Sequence, residues 1–338
     1  MKALEHAMRR IDAAQQGFRP ASVTFGVIKK FGDDNGGSLV ANLAYSSFIC
    51  LFPLLLIFVT LLNLLLAGHP AAQRSLLNSA LGEFPVVGSQ LGHNIHGLHR
   101  SSEIGLAVGI LALLWGSTGL AQAGLFSMAQ IWNLPGPERP GYGKRLGRSL
   151  LFLVVLGTGI VVSTALASFG TFGRHNSVLG VLSEFVAVAV NIGTYFLSFR
   201  VLTPKGVPTR QLVPGALVAG VAWTILQAIG GYLIGHDLRH DSLTYGVFGV
   251  VLGLIAWVYL AAEITIYAAE LNAVLARRLW PRGMVQPPLT DADQRSLALQ
   301  ATQNRRRPEQ EVSVVFTAPA MSQREWLAST AGEAEGDT

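Results

Sequence analysis

Six long apolar stretches constrain this chain more than any other feature of its sequence. Each is long enough for a helix to cross the hydrocarbon core of a bilayer, which takes about 20 residues. The stretches are residues 39–66, 103–125, 149–170, 179–202, 212–235 and 247–274. Runs such as FPLLLIFVTLLNLLL lack the short alternating segments of a membrane barrel, so helices remain as the way to satisfy the backbone in lipid. The sequence therefore predicts an all-α integral membrane protein with six transmembrane helices.

The composition excludes a large water-soluble enzyme. Only 13% of the 338 residues are charged, whereas soluble domains carry about 25%. The mean hydropathy is +0.42. The sequence has no nucleophile elbow, phosphate loop or HExxH motif, and its one cysteine, Cys50, excludes an intrachain disulfide. We expect no catalytic residues and no cofactor.

The basic residues predict the orientation of the chain. All Lys and Arg residues except four lie before the first stretch or near the loops and tail on the same side of the membrane. The four exceptions are Arg74, Arg100, Arg174 and Arg239. Because basic residues concentrate on the cytoplasmic side, both termini are predicted to be cytoplasmic and the protein to be a multi-pass protein of the bacterial inner membrane.

The formal net charge of +5 is then mainly a signal of topology and not a footprint of nucleic-acid binding. The bilayer itself is the expected partner. Anionic lipid is expected to contact Lys29, Lys30 and the basic loop around Lys144. The sequence leaves the oligomeric state open.

The charge pattern also predicts three regions. Residues 1–38 mix apolar and basic positions, which favours an amphipathic segment at the membrane interface that breaks at Pro20. Residues 39–276 form the six-helix membrane domain. Residues 277–338 turn polar and are predicted to form a flexible cytoplasmic tail.

Three carboxylates lie within the apolar stretches: Glu184, Glu263 and Glu270. A spacing of seven places Glu263 and Glu270 on one helix face, and Glu184 on one face with Asn191. No Lys or Arg lies well inside a stretch, so each carboxylate must be protonated, reach water or meet an arginine from an interface. These four residues are candidates for an ion or substrate path, with interhelical hydrogen bonding as the alternative.

Pro53 and a histidine run are two further candidates. Pro53 interrupts the first stretch, and kinked helices line substrate sites in transporters, although a purely structural kink is the alternative. His93, His96 and His99 in HNIHGLH are predicted to lie outside the cell and have the ligand chemistry of a metal site, with ordinary solvated histidines as the alternative.

Three segments resemble the signatures of the YihY/virulence factor BrkB family in matching order and spacing. They are NLAYSSFICLFPLLLIFVTLL, LLWGSTGLAQAGLFSMAQIWNLPG and YGVFGVVLGLIAWVYLAAEITIYAAELNAVL. The resemblance covers about residues 20–280, and Glu270 falls in AELNA, which is similar to the family's glycine/alanine-Glu-Leu-Asn ending. It implies a six-span bacterial inner-membrane protein, with export of small molecules or lipid among the roles proposed. The ribonuclease BN label of some members looks misapplied, because this chain lacks an HxHxDH-type metal motif.

Three functions remain open from the sequence. The first is a transporter or exporter of a small molecule or lipid, favoured by the carboxylates, the Pro53 kink and the absence of an aqueous domain. The second is a non-catalytic membrane scaffold or envelope assembly factor that docks partners through its termini. The third is a membrane enzyme.

Overall fold

A computed structural model describes residues 2–65, 102–172, 177–236 and 242–336, and every regular element in these ranges is a helix. The helices, numbered in chain order, are α1 (Lys2–Gly17), α2 (Arg19–Asp33), α3 (Gly36–Leu65), α4 (Ser102–Ile131), α5 (Tyr142–Phe172), α6 (Ser177–Leu202), α7 (Val213–His236), α8 (Ser242–Arg277), α9 (Asp291–Gln303) and α10 (Gln323–Gly336). Two short 3-10 turns, Gly136–Glu138 and Thr209–Leu212, precede α5 and α7.

The six long helices α3 to α8 pack as a closed ring. Each contacts the next in chain order, and α8 returns to pack against α3. Many side chains on the outside of the ring are large, apolar and exposed, among them Val154, Phe185 and Ile225. An apolar outer surface of this extent is stable against lipid and not against water.

Four helices of the described part are long and apolar enough to cross a membrane by their length and composition. They are Tyr142–Ser163, Glu184–Leu202, Thr209–Gly230 and Val251–Arg277. The all-helical class and the membrane character predicted from the sequence are confirmed, while the number of six spans stays a prediction.

Glycines allow neighbouring helices of the ring to approach closely. A Cβ on Gly215 of α7 would lie 2.2 Å from the carbonyl oxygen of Ala268 in α8, and one on Gly220 would lie 2.5 Å from the side chain of Ile192 in α6. The Gly215 amide also donates to Asn272 Oδ1 at 2.7 Å. Small residues and interhelical hydrogen bonds therefore hold α6, α7 and α8 together, as is common in membrane bundles.

Residues 278–336 pack on α1 and α2, and we call this end of the bundle the tail end. Asp293 caps α9 together with Thr290 and accepts hydrogen bonds from Lys29 Nζ at 3.0 Å and Arg282 Nε at 2.9 Å. In α10, Trp326 lies beneath the guanidinium of Arg9 of α1, 3.9 Å from its ring centroid. The flexibility of the tail predicted from the sequence stays a prediction. Several polar residues of the tail bind partners in α1 and α2. The composition of the tail does not reveal these contacts, because the partners are distant in the sequence.

Candidate functional site

A cavity of about 270 Å³ lies at the centre of the ring. All six long helices contribute to its wall, for example Ser47 of α3, Ser127 of α4 and Gly159 of α5. The remaining sides come from α6, α7 and α8, with Asn191, Trp223 and Thr265 among the lining residues. The described side chains of the six helices therefore leave a space between them.

The described wall of this cavity is apolar with scattered neutral polar groups, and it contains no charged side chain. Three of these polar groups are buried without a hydrogen-bond partner: the hydroxyls of Ser127 and Ser198 and the indole N–H of Trp257. A buried donor that lacks a partner costs about 1–3 kcal/mol, so native proteins keep few of them. Water or a ligand in the cavity would supply the partners that these groups lack.

Asn191, a candidate from the sequence, lies in this wall. Its Nδ2 donates to Thr224 Oγ1 of α7 at 3.1 Å, and Thr224 Oγ1 donates to the Gly220 carbonyl at 2.9 Å. The amide therefore joins α6 to α7 beside the cavity, and Glu184, seven residues earlier in α6, is exposed. The two residues predicted to share a face lie in different surroundings.

Three ionisable side chains meet without access to solvent at the tail end, and we call them the buried ion cluster: Lys30, Asp34 and Glu270. Lys30 is 1% exposed, and its Nζ lies 3.3 Å from Glu270 Oε2, itself on a residue that is 0% exposed. Lys30 Nζ also forms an ion pair with Asp34 and donates to the Ile131 carbonyl at 2.9 Å. Ile131 ends α4, so the lysine satisfies one of the carbonyls left open by the helix terminus.

The cluster joins four elements of the fold. Lys30 belongs to α2, Asp34 to the turn before α3, Glu270 to α8 and the carbonyl to α4. Burial raises the pKa of the Asp34 carboxyl, with Lys30 acting in the opposite direction. Arg277 adds a second positive charge that acts on Asp34, while its own Nη2 donates to the Trp132 carbonyl at 2.6 Å.

The buried ion cluster lies further toward the tail end than the cavity. Met128 and Thr265 line the cavity. Ile131 and Glu270 follow them along α4 and α8, about 5 and 8 Å further toward the tail end at 1.5 Å per residue.

The structure corrects the expected partner of Glu270. The sequence offered an arginine from an interface, but the cation that reaches Glu270 is Lys30, from a helix outside the apolar stretches. Lys30 and Asp34 are spaced i, i+4 in KKFGDD just before the first apolar stretch, and this is the signal that could have revealed the cluster.

Glu263 does not join Glu270. It is half-buried in a separate groove of about 440 Å³ between α2, α7 and α8, where Val27, Val218 and Tyr267 are among its neighbours. The i, i+7 spacing on α8 is present, but α2 crosses this face, so Glu270 meets the buried Lys30 while Glu263 faces the groove.

The remaining candidates stay predictions. Pro53 lies within α3, and nothing is described of its side-chain surroundings. His93, His96 and His99 lie outside the described residues. Lys29 Nζ donates to the Gly283 carbonyl at 2.6 Å, and Lys30 is buried; the contact of this basic region with anionic lipid stays a prediction.

Comparison with known proteins gives relatives over most of the chain. A protein of Bacillus subtilis (strain 168) named "Putative ribonuclease-like protein YfkH" is 27% identical over 72% of this chain and 91% of its own length. "Inner membrane protein YhjD" of Escherichia coli (strain K12) is 22% identical over 77% of this chain and 83% of its own length. A UPF0761 membrane protein of Psychrobacter sp. (strain PRwf-1) is 23% identical over 74% of this chain and 47% of its own length. No solved structure matches this chain.

These relatives and the apolar helices confirm the predicted localisation, a multi-pass protein of the inner membrane. The family described as Virulence factor BrkB matches residues 27–289, which include the second half of α2, the whole ring and the buried ion cluster. This chain belongs to the virulence factor BrkB family, the family that its three sequence segments resemble.

Proposed function

We propose that this protein is a membrane transporter that carries a small molecule or lipid through the central cavity. The observation that carries the proposal is the cavity itself, which is surrounded by all six long helices and lined by three hydrogen-bonding groups without partners. A binding site between the helices of a bundle is a common position for a ligand. No part of the proposal assigns a catalytic role, although YfkH carries a ribonuclease-like name.

In this proposal α3 to α8 cross the membrane as six spans, and the tail end faces the cytoplasm. The two predicted spans beyond the four described ones are α3 and α4, which are both 30 residues long. The basic residues of α1, α2, the loops and the tail lie at the tail end. For example, Arg277 and Arg305 reach the loop between α4 and α5, where they bind the Trp132 carbonyl and Glu138. Basic residues favour the cytoplasmic side.

The wall of the cavity supports an uncharged substrate. The described lining has no cation to neutralise an anionic group and no carboxylate to neutralise a cation. The indole N–H of Trp257 is a donor only, so it calls for an acceptor such as a carbonyl, ester or hydroxyl oxygen. A mainly apolar molecule, or the glycerol and acyl part of a lipid, meets both requirements.

The buried ion cluster would act as the tail-end gate in this proposal. Transport requires the cavity to open to each side of the membrane in turn. Opening at the tail end would separate Lys30 from Glu270 and from the Ile131 carbonyl. Glu270 is thus given a gating role, and Glu263, in the outer groove, is given none.

Two adjacent cysteine variants test the proposal. In a Cys50→Ser background, Ser198→Cys places a thiol in the cavity wall, whereas Leu197→Cys, its neighbour on α6, places one on the exposed outer face. We expect a membrane-impermeant maleimide to label Ser198→Cys in oriented vesicles and to leave Leu197→Cys unlabelled in lipid. If neither thiol reacts from either side, the cavity is a dry void and the transporter proposal fails.

A scaffold is the second candidate, and the exposed stretch between α9 and α10 favours it. Val315 in this stretch is 86% exposed, and most of the residues around it are exposed as well, so the stretch is accessible to a partner. Deleting residues 308–338 tests it while leaving Asp293 with Lys29 and Arg282. Loss of function in this deletion, with normal labelling of Ser198→Cys, would favour the scaffold over the transporter.

A further inference from the structure

A second pocket, of about 150 Å³, lies at the tail end between α4, α5 and the end of α6. Three arginines line it: Arg139 in the loop before α5, and Arg145 and Arg148 in the first turns of α5. Its other walls are apolar, with Phe126 and Leu202 among them. We call it the arginine pocket.

The positive charge of the arginine pocket has no counterpart within the described residues. No carboxylate lines the pocket, and none of the ion pairs of the described chain includes its three arginines. The nearby Glu138 is taken by Arg305 at 2.7 Å. Burial and the repulsion from Arg145 hold the pKa of Arg139 below its usual range. The repulsion among these groups would be relieved by an anion.

Two of the arginines are held in place by neutral partners. Arg139 donates through Nη2 to Gln130 Oε1 at 3.1 Å, and Arg145 donates through Nη2 to Gln122 Oε1 at 2.8 Å. These amide contacts fix the guanidinium planes without neutralising them. Arg148 has no hydrogen-bond or ion-pair partner within the described residues, so its fork of N–H donors is available.

The pocket lies where the head group of a phospholipid would reach it. Arg148 is within the helix Tyr142–Ser163, which is apolar enough to span a membrane, and is six residues from its start. The same helix exposes Leu150, Leu151 and Val154 toward the lipid. A head group in the pocket would leave its acyl chains beside these residues.

We propose that the arginine pocket binds the phosphate head group of one anionic phospholipid. Arginine binds phosphate oxygens through two parallel N–H donors, and basic pockets between membrane helices on the cytoplasmic side suit anionic head groups. The volume suits a head group and not a whole lipid. This site lies in the basic loop around Lys144, where the sequence predicts contact with anionic lipid. It does not depend on transport through the central cavity.

Lipid binding to the full-length protein tests the proposal. Native mass spectrometry of the purified chain, titrated with dioleoyl phosphatidylglycerol or dioleoyl phosphatidylcholine, measures the affinity for each lipid. We expect phosphatidylglycerol to bind more tightly, and Arg148→Gln to weaken its binding about fivefold, the effect of one basic residue at an anionic surface. Phosphatidylcholine binding should be unchanged. Arg210→Gln, an equal charge change at an exposed arginine outside the pocket, is the matched control.

Two further arms keep the proposal falsifiable. Arg148→Lys retains the charge but loses the two-donor fork, so we expect a loss smaller than that of Arg148→Gln. Inorganic phosphate at millimolar concentration should fail to displace phosphatidylglycerol, and displacement would mean a free-phosphate site instead. If Arg148→Gln does not fold, Arg145→Gln serves in its place. Equal affinity of the wild-type protein for the two lipids, or equal loss in Arg210→Gln, would overturn the proposal.

Discussion

The central cavity and the buried ion cluster lie in the same ring of helices, yet they treat buried polar groups in opposite ways. In the cluster, Lys30 forms ion pairs with two carboxylates and donates to a helix-end carbonyl, although the two oxygens of Glu270 make no hydrogen bond within the described residues. In the cavity wall, Ser127, Ser198 and Trp257 each have a buried polar atom without a hydrogen-bond partner. Partnered groups stabilise the fold that they join, whereas unpartnered groups are a standing cost that only a ligand or water removes. The difference separates a structural closure from a site of binding.

Removing the cation of the cluster should have the largest effect. Lys30→Met leaves Asp34 and Glu270 buried together without their lysine, and breaking a buried pair in this way costs about 3–5 kcal/mol. We expect a large fall in thermal stability of the purified protein. Lys144→Met, which removes an exposed lysine, is the control. A melting temperature equal to that of the control would mean that the cluster does not hold the tail end together.

Neutralising the two glutamates of α8 separately should give unequal effects. Glu270→Gln removes the carboxylate that pairs with the buried Lys30 at 3.3 Å and is expected to cost about 2 kcal/mol, since removing one partner of a buried polar group costs about 1–3 kcal/mol. Glu263→Gln, at half-buried Glu263 in the outer groove, should change stability by less than about 0.5 kcal/mol. Labelling of Ser198→Cys from the tail end should rise only with Glu270→Gln. Equal changes in stability and in labelling for the two variants would mean that Glu270 has no gating role distinct from that of Glu263.

The pH dependence of stability should differ between two carboxylates at the tail end. Hydrogen bonds from Gly283 and Arg282 and the charge of Lys29 lower the pKa of Asp293 from 3.8 to about 2, against its burial. Its contribution to stability is therefore present above pH 3.8 and is lost as the pH falls toward 2. Burial raises the pKa of Asp34, so its protonated form favours the folded state. Its contribution to stability is present below pH 3.8 and is lost as the pH rises through the raised pKa.

Asp293→Asn isolates the first of these contributions. We expect it to lower the free energy of unfolding by about 1–2 kcal/mol at pH 7, with the difference from the wild-type protein disappearing near pH 2. Chemical denaturation followed over this pH range measures the effect, with Asp291→Asn, an exposed neighbour, as the control. A difference that is constant with pH would assign the effect to helix capping rather than to charge.

Removing a hydroxyl from the cavity wall should give the smallest change in stability. Ser198→Ala removes a hydroxyl without a partner, so the free energy of unfolding should stay within about 0.5 kcal/mol of the wild-type value. Ser149→Ala removes a buried hydroxyl that donates to the Arg145 carbonyl at 3.0 Å and should be the less stable of the two. If Ser198→Ala is the more damaging variant for stability, its hydroxyl has a structural partner and the comparison with the cluster fails.

The helices were predictable because a chain in lipid must satisfy its backbone hydrogen bonds internally. Each of the six apolar stretches falls within or close to one of the long helices α3 to α8, with α8 extending a few residues past its stretch to Arg277. The candidate site was only partly predictable. Glu270 stood out as a carboxylate in an apolar run, but Lys30 and Ser198 did not, because one lies outside the runs and the other is common in helices.

The sequence by itself determined that this is a helical membrane protein of the virulence factor BrkB family and which of its ends is basic. Those properties follow from local composition and from the cost of unsatisfied backbone groups in lipid. Only the tertiary structure decided that the ring encloses a cavity, that Lys30 meets Glu270 and that three arginines share one pocket. Each of these brings together residues from helices distant in the chain, and hydropathy does not encode how helices pack against one another.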